Sequence, residues 1–519
     1  MTDTMTPSAP GSPDPFSGRW KTVITVVALV VAGKGLSFLR EAFVASALGA
    51  SSSSDGYYLA LAIPTVVYSL GALPFSMWVT ARLAALKGLG EWAQAASLYT
   101  RVLITVFGLG VIVALVLVGT SGVFVRLYAP GLADARLAQA VALTRIGALA
   151  IPALGAQAVC NGRLFADGRV LPVYVWLVIS GLLGLGVVVW FTPSLGAAGA
   201  VWGFVAAGWS SILGPIVLAR PTAWLPSKGR GLAWVDDLGP AVVYRALVMQ
   251  LYFQVSLMLV YGFGSTLPAG ELSAALFGSK IQTAVYETLA VTAGVLVYPR
   301  IAHLLQLMDQ VAVKRTMIQA LNWLLPATAG MVVLLITCRR EIVGLVYERN
   351  AFDDRAARLV ASGLLGYAPG IVGLTLVEIF HRAMVLRGRL SGYVVVFSCA
   401  LLVNWVCYHF SVRALGVLGL TLSSSAGVLA AGIGLVVYAS RRLESVDSGH
   451  LLLLMLRTAT SAGLMLAALM ALRATVSIRG TSLGQILTVL GSAVAGAAIL
   501  SVALLALGHR WHAPARAKG

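Results

Sequence analysis

Charged residues stand inside long apolar stretches of this chain. Lys34, Arg40 and Glu41 fall in or at the end of the first stretch, and Lys280 and Glu287 fall in a later one. A basic group at the middle of a membrane costs about 2.5–3.5 kcal/mol, so such groups persist where they face a wet cavity inside the protein. The pattern therefore predicts a path for a polar cargo, and an anionic cargo suits the basic groups.

The composition is typical of a membrane protein. Of its 519 residues, 59% are hydrophobic and 11% are charged, against about a quarter charged in soluble domains. About fourteen stretches are long enough to cross roughly 30 Å of hydrocarbon as helices, and none has the period-2 alternation of a transmembrane barrel. The predicted fold class is an all-α polytopic membrane protein with about fourteen transmembrane helices.

The loops between the apolar stretches carry an uneven distribution of positive charge. Lysine and arginine are about twice as frequent on the side of the N-terminus as on the opposite side, which predicts that both termini lie in the cytosol. The net charge of +18 is spread over these loops rather than gathered in a patch or arm, so we expect no nucleic-acid partner. The first residues are rich in Pro, Ser and Thr and have no apolar core, which indicates a tail rather than a signal peptide.

Two stretches about 220 positions apart follow the same plan. Each has a tyrosine-ended segment, then a proline, then a segment that opens with Leu-Gly: 125–128, Pro152 and 195–199 in the first copy, and 345–347, Pro369 and 415–419 in the second. The offset covers six spans, an even number, so the two copies enter the membrane from the same side. The repeat therefore predicts two six-helix lobes related by an axis along the membrane normal.

The predicted organisation has six parts. They are a disordered cytosolic tail (1–21), an N-lobe of helices 1–6 (22–220), a cytosolic linker (221–238), a C-lobe of helices 7–12 (239–440), helices 13–14 (441–508) and a second cytosolic tail (509–519). Helices 13 and 14 lie outside the repeat, so we expect them to have a separate role.

The sequence contains no convincing motif for metal, nucleotide or covalent chemistry. Glu378 and His381 have the Glu-x-x-His spacing of di-iron helices, but no second copy is present, so we predict no metal site and no cofactor. The four cysteines are scattered and are predicted to pack as small apolar residues. Without a phosphate-binding Gly-x-x-x-x-Gly-Lys loop or a catalytic constellation, neither ATP hydrolysis nor an enzyme activity is expected.

Several runs resemble the signature of a transporter family. The resemblance is to the MurJ (MviN, mouse virulence factor) family of lipid II flippases, within the multidrug/oligosaccharidyl-lipid/polysaccharide flippase superfamily. It rests on 34–41, 55–60, 63–64, 279–281, 297–301 and 345–352, and so covers nearly the whole chain.

The resemblance implies a V-shaped pair of lobes around a cationic cavity. In that family the cavity binds the pyrophosphate and sugar of an undecaprenyl-linked peptidoglycan precursor, and the last two helices form a lipid-facing groove for the polyprenyl tail. Lys34, Arg40 and Lys280 match cationic positions of the family motifs, and Glu41 and Asp55 match acidic ones.

The residues and the resemblance together give a set of candidate site residues. Those expected to bind the pyrophosphate in the cavity are Lys34, Arg40, Lys280 and Arg245. Those expected to form a gating or ion network are Glu41, Asp55, Ser279 and Glu287.

The chain departs from the family pattern at several of these positions. Lys34 and Lys280 stand where arginine is usual, and lysine lacks the bidentate fork of arginine. Ser279 stands where the family often has aspartate. Asn404 resembles part of an ion site of the family, but Tyr408 stands one turn on in place of a carboxylate.

The sequence thus predicts a flippase for lipid II, working by alternating access in a bacterial inner membrane. Its expected partners are the glycolipid substrate, membrane lipids and cell-wall synthesis proteins, and the membrane potential or a coupling ion is the expected drive. Two alternatives stay open at this point. One is a flippase for O-antigen or exopolysaccharide intermediates, and the other is a non-transporting membrane scaffold for cell-wall synthesis.

Overall fold

A computed structural model describes residues 20–219, 240–306, 310–386, 391–442, 448–475 and 482–509. These residues are almost entirely helical. Most of the two predicted tails and the whole predicted linker, 221–238, lie outside the described residues.

The first eight helices form the N-terminal group. They are α1 (Trp20–Leu48), α2 (Ser52–Val67), α3 (Leu73–Gly88), α4 (Trp92–Tyr128), α5 (Asp134–Ala148), α6 (Ile151–Ala166), α7 (Val170–Leu195) and α8 (Ala197–Ala219). A π-helical segment, Tyr68–Ala72, joins α2 to α3. The α2 helix begins with a capping box, in which Ser51 Oγ accepts from the Ser54 N–H and Ser54 Oγ accepts from the Ser51 N–H.

The next eight helices form the C-terminal group, and two more follow it. The group consists of α9 (Pro240–Gly264), α10 (Glu271–Gln306), α11 (Gln310–Thr337), α12 (Arg339–Tyr347), α13 (Asp354–Tyr367), α14 (Gly370–Leu386), α15 (Ser391–Leu415) and α16 (Val417–Arg442). The last two helices are α17 (Ser448–Thr475) and α18 (Ser482–Ala506). Both pack against α11 and share a small apolar core with it.

The all-α membrane fold is confirmed. Nine helices in the described ranges are long and apolar enough to cross a membrane, or ten if the bent pair α13–α14 counts as one span. The predicted number of about fourteen spans therefore stays a prediction, as do the predicted domain boundaries.

The two groups have breaks at corresponding places. Pro152 is the second residue of α6, directly after the break from α5, and Pro369 lies in the 44° bend between α13 and α14. Gly196 ends α7 with a φ of 57°, and Gly416 ends α15 with a φ of 56°, a left-handed conformation that glycine adopts without steric cost. Not every proline interrupts a helix, since α10 continues through Pro299.

Three buried apolar clusters divide the molecule into two ends. One cluster contains residues of both groups, with Tyr57 and Phe277 among them. Among the described residues, neither of the other two clusters contains members of both groups. One lies around Leu83 in the N-terminal group, and the other lies around Phe380 in the C-terminal group and includes residues of α17. We call the part with the shared core the joined end and the part with separate cores the split end. We call the region between the two groups that holds Lys34, Arg40, Glu41, Lys280 and Glu287 the crevice.

Candidate functional site

A buried carboxylate holds together several of the charged residues of the crevice. Glu41 of α1 is only 2% exposed, and its Oε1 lies 3.1 Å from Arg40 Nη2 and 3.9 Å from Lys280 Nζ. The Tyr58 hydroxyl donates a 2.8 Å hydrogen bond to Glu41 Oε2. Because an unpaired buried charge is strongly destabilising, these three partners account for the presence of an ionised glutamate in an apolar core.

Lys280 connects the two groups at this carboxylate. Its ammonium reaches from α10 toward Glu41 on α1 and lies 5.8 Å from the ring centre of Tyr58, within the range of a cation–π contact. The lysine side chain keeps 41% exposure. It therefore contacts the buried cluster on one side and the crevice on the other.

A second ion pair crosses the crevice nearby. Lys34 Nζ of α1 pairs with Glu287 Oε2 of α10, and the two side chains are 51% and 29% exposed. The exposure distinguishes this pair from the Glu41 cluster, since solvent reaches both of its members. A pair of this kind contributes only about 0–1 kcal/mol to stability.

The two ion pairs form a pattern shared by α1 and α10. Each helix has a lysine followed seven residues later by a glutamate, which is two helical turns or about 10.5 Å. The helices are antiparallel here, so each lysine meets the glutamate of the other helix. Lys280 and Glu287 lie two turns apart on α10, which is too far for direct contact, and each pairs with a residue of α1 instead.

The five described residues of these ion pairs carry one net positive charge. Three cations, Lys34, Arg40 and Lys280, face two carboxylates, Glu41 and Glu287. Arg40 uses one amino group on Glu41, and its Nε has no hydrogen-bond partner in the part of the chain that is described.

Asp55 lies apart from this cluster, at the joined end. Its Oδ2 accepts from the Gly270 N–H at 2.8 Å, and its Oδ1 accepts from the Ser273 N–H at 2.7 Å. An N-cap side chain normally accepts such bonds from its own helix. Gly270 has no side chain, so the aspartate of α2 caps α10 from the other group. Its negative charge also suits the positive end of the α10 dipole.

The backbones of the two groups come very close around this cap. Gly270 has a φ of 88°, and a Cβ added to it would lie 2.2 Å from the Ala50 carbonyl oxygen. Only glycine fits this position. Ser54 Oγ also donates to Ser273 Oγ at 2.9 Å, next to the Asp55 bonds.

Further hydrogen bonds join the groups at the same end. Tyr261 donates its hydroxyl proton to the Tyr58 carbonyl oxygen at 3.2 Å, which places a second tyrosine beside the Glu41 cluster. The Ala351 N–H donates to the Ser46 carbonyl oxygen at 3.0 Å. These contacts, with the Asp55 cap, seal the joined end.

Not all predicted residues lie in the crevice cluster. Ser279 donates to the Leu276 carbonyl oxygen of its own helix, and this bond does not connect it to the ion pairs. The backbone of Arg245 lies in α9, but its side chain is outside the described part of the chain. The side chain of His381, from the Glu-x-x-His pair, is likewise outside it, and no group of three metal-binding side chains occurs among the described residues.

Tyr58 and Ser273 belong to the site but were not predicted from the sequence. Tyr58 stands on α2 three residues after Asp55, so the sequence places it near one charged residue. The sequence does not indicate that its hydroxyl bonds to Glu41 instead. Ser273 gave no signal, because its role depends on the approach of α2 to α10.

The candidate ion position around Asn404 has neutral partners. Asn404 is fully buried and donates from Nδ2 to Ser256 Oγ at 2.8 Å. Its Oδ1 has no hydrogen-bond partner among the described residues. The residues found here thus supply neutral oxygens.

Two helix groups joined at one end around a charged crevice define a polytopic membrane transporter. Comparison with solved structures agrees: the chain is similar to a lipid II flippase MurJ in an inward closed conformation, with a TM-score of 0.78, 14% identity and coverage of 93% of this chain and 99% of that one. It is also similar to an inward-facing multidrug resistance MATE family transporter of the MOP superfamily, with a TM-score of 0.68, 12% identity and coverage of 81% and 98%. At these identities the likeness shows the fold.

The family follows from the sequence comparison. The chain belongs to the lipid II flippase MurJ family, whose model matches residues 44–513. A relative from Synechocystis sp., described as "Probable lipid II flippase MurJ", is 26% identical over 382 residues, which is 67% of each chain. The family consists of lipid flippases of the bacterial inner membrane and not of enzymes.

Proposed function

We propose that this protein moves lipid II, an undecaprenyl-pyrophosphate-linked peptidoglycan precursor, from the cytosolic to the periplasmic leaflet by alternating access. The observation that carries the proposal is the pair of lysines from opposite groups, Lys34 and Lys280, which meet in one crevice and keep 51% and 41% exposure. Family membership supports the same function.

In this proposal, the diphosphate of the substrate binds basic side chains that pair with carboxylates of the protein in the structure. A diphosphate is anionic and presents several acceptor oxygens, so it competes with Glu287 for Lys34 and with Glu41 for Lys280. Arg40 is a further donor, since its Nε has no hydrogen-bond partner among the described residues. Loading thus exchanges carboxylate–lysine pairs between the groups for phosphate–lysine pairs.

The joined end acts as the outer gate in this proposal. We assign it to the periplasmic side and both termini to the cytosol, following the charge distribution of the loops. The crevice then loads from the cytosol while the Asp55 cap keeps the periplasmic side shut. Release requires the groups to separate at the joined end and approach each other at the split end.

The apolar tail of the substrate stays in the lipid beside the last two helices. Both α17 and α18 pack against α11 and expose large apolar side chains outward, including Leu456, Leu464, Val494 and Val502. This surface suits a polyprenyl chain, which then need not enter the charged crevice.

The membrane potential is the drive that we propose. Moving one elementary charge across 100 mV exchanges about 2.3 kcal/mol. Among the described residues, the hydrogen-bond partner of Asn404 is the neutral Ser256 rather than a carboxylate, which favours the potential over a sodium ion as the source of energy.

A lipid II accessibility assay tests the function directly. In bacteria whose only candidate flippase is this protein, we expect lipid II to reach the periplasmic leaflet and growth to continue. Failure to expose lipid II, together with rescue of a surface-glycan defect, would select the O-antigen or exopolysaccharide alternative. Lysines in place of arginines at positions 34 and 280 are the observation that keeps this alternative open.

The Arg40→Ala variant tests the crevice in the same cells. We expect it to insert normally and to lose complementation, because Glu41 loses a partner and the substrate loses a donor. The matched control is Arg126→Ala, which removes an exposed arginine from the last turn of α4. Growth of the Arg40→Ala strain at the wild-type rate would remove Arg40 from the substrate site.

A further inference from the structure

The outward face of α5 contains one charge among small apolar residues. Ala135, Ala138, Ala142, Arg145 and Leu149 are all exposed and are spaced three or four apart, so they form one stripe along the helix. The opposite face of α5 packs against α2. The stripe therefore points away from the crevice and toward the surrounding lipid.

Arg145 is held in place by a single hydroxyl of the neighbouring helix. Its Nε donates to Ser121 Oγ of α4 at 3.1 Å, and Ser121, which is fully buried, donates in turn to the Val118 carbonyl oxygen. Within the described ranges no carboxylate forms an ion pair with Arg145. The two amino groups of its guanidinium therefore have no carboxylate counter-charge among the described residues.

The position of Arg145 along the span brings it near a membrane surface. The α5–α6 span has 33 residues, or about 50 Å of helix, against about 30 Å of hydrocarbon. Arg145 lies about 16 Å from the start of α5, so its Cα is a few ångströms inside the hydrocarbon. Helical side chains lean toward the N-terminus of their helix, and this direction takes the guanidinium toward the nearer surface.

We propose that Arg145 binds the phosphate of a membrane phospholipid in the leaflet nearest the start of α5. An uncompensated arginine facing lipid is costly, and a phosphate supplies the missing charge with a geometry that suits two parallel N–H donors. The three alanines between Arg145 and the membrane surface leave room for the headgroup to sink onto the guanidinium. This site is independent of the proposed transport function.

The diphosphate of a polyprenyl lipid has related chemistry, but the geometry favours a phospholipid. Arg145 lies on the outside of the N-terminal group, whereas the lysines of α1 and α10 lie in the crevice between the groups. A lipid bound at Arg145 therefore lies on the outer surface of the protein, outside the crevice.

Native mass spectrometry of the purified full-length protein tests this site. With added phosphatidylglycerol we expect the wild type to retain one more lipid than Arg145→Ala, with about fivefold weaker retention in the variant. Diacylglycerol, which has no phosphate, should show no such difference. Arg126→Ala should retain phosphatidylglycerol like the wild type.

A second variant keeps the test decisive if Arg145→Ala folds poorly. Ser121→Ala removes the hydroxyl that orients the guanidinium and should give weaker retention of phosphatidylglycerol than the wild type. Equal retention by the wild type and by whichever of the two variants is well folded would overturn the proposal. A difference seen only with a polyprenyl diphosphate would overturn it as well and would assign Arg145 to the substrate.

Discussion

At the scale of single residues, the basic side chains of the crevice form ion pairs with carboxylates, and an anionic ligand can compete for these basic side chains. Glu41 is buried and has three partners, whereas Glu287 is partly exposed and pairs with Lys34. The exposed pair is the weaker one because water screens it. In the proposed function, we therefore expect Glu287 to be the first carboxylate that a diphosphate displaces.

The Glu287→Gln variant tests this competition. We expect a lipid-linked diphosphate to bind purified protein up to about fivefold more tightly, because an exposed pair is worth at most about 1 kcal/mol. A fluorescence titration measures the change. Glu348→Gln, which alters an exposed carboxylate outside the crevice, should leave the affinity unchanged. Equal affinities for all three proteins would show that Glu287 does not compete with the ligand.

Much of the crevice could be predicted from the sequence at this scale. Charged side chains on apolar membrane helices are stable mainly where they face a wet cavity or a partner. Lys34, Arg40 and Lys280 all lie in one crevice. Their exact partners could not be predicted, because each cross-pair depends on the antiparallel register of α1 against α10. The role of Asp55 was hidden for a similar reason, since a cap supplied by another helix leaves no local motif.

At the scale of helices, the start of α10 depends on a side chain from α2. Asp55→Ala leaves the Gly270 and Ser273 N–H groups without their acceptor at a buried helix end, which should cost about 1–2 kcal/mol. Hydrogen exchange should therefore become about tenfold faster at these two amides. The control is Asp353→Ala, because Asp353 caps its own helix by accepting from the Ala356 N–H. That control should accelerate exchange in α13 alone, and unchanged exchange at α10 in Asp55→Ala would refute the cap.

The helices themselves were predictable, while several of their breaks were not. Apolar stretches of sufficient length locate the long helices, and Pro152 and Pro369 mark two breaks. The π-helical segment at Tyr68–Ala72 has no proline within it and follows Pro64 by a full turn, so its position could not be read from composition. The short helix α12 is too short to be recognised as a span.

At the scale of the whole molecule, alternating access requires the joined end to open. Ser54 of α2 and Ser273 of α10 are suitable reporters, because their hydroxyl oxygens are 2.9 Å apart and belong to different groups. Cysteines at both positions are close enough for a disulfide. We expect the oxidised double variant, Ser54→Cys with Ser273→Cys, to bind the lipid-linked diphosphate but to lose lipid II exposure in cells, and a reductant to restore it. Each single variant should transport under both conditions, since the four native cysteines stand elsewhere in the chain. Full transport by the oxidised double variant would mean that the cargo leaves without separation of the two groups at this end, and alternating access through the joined end would then be wrong.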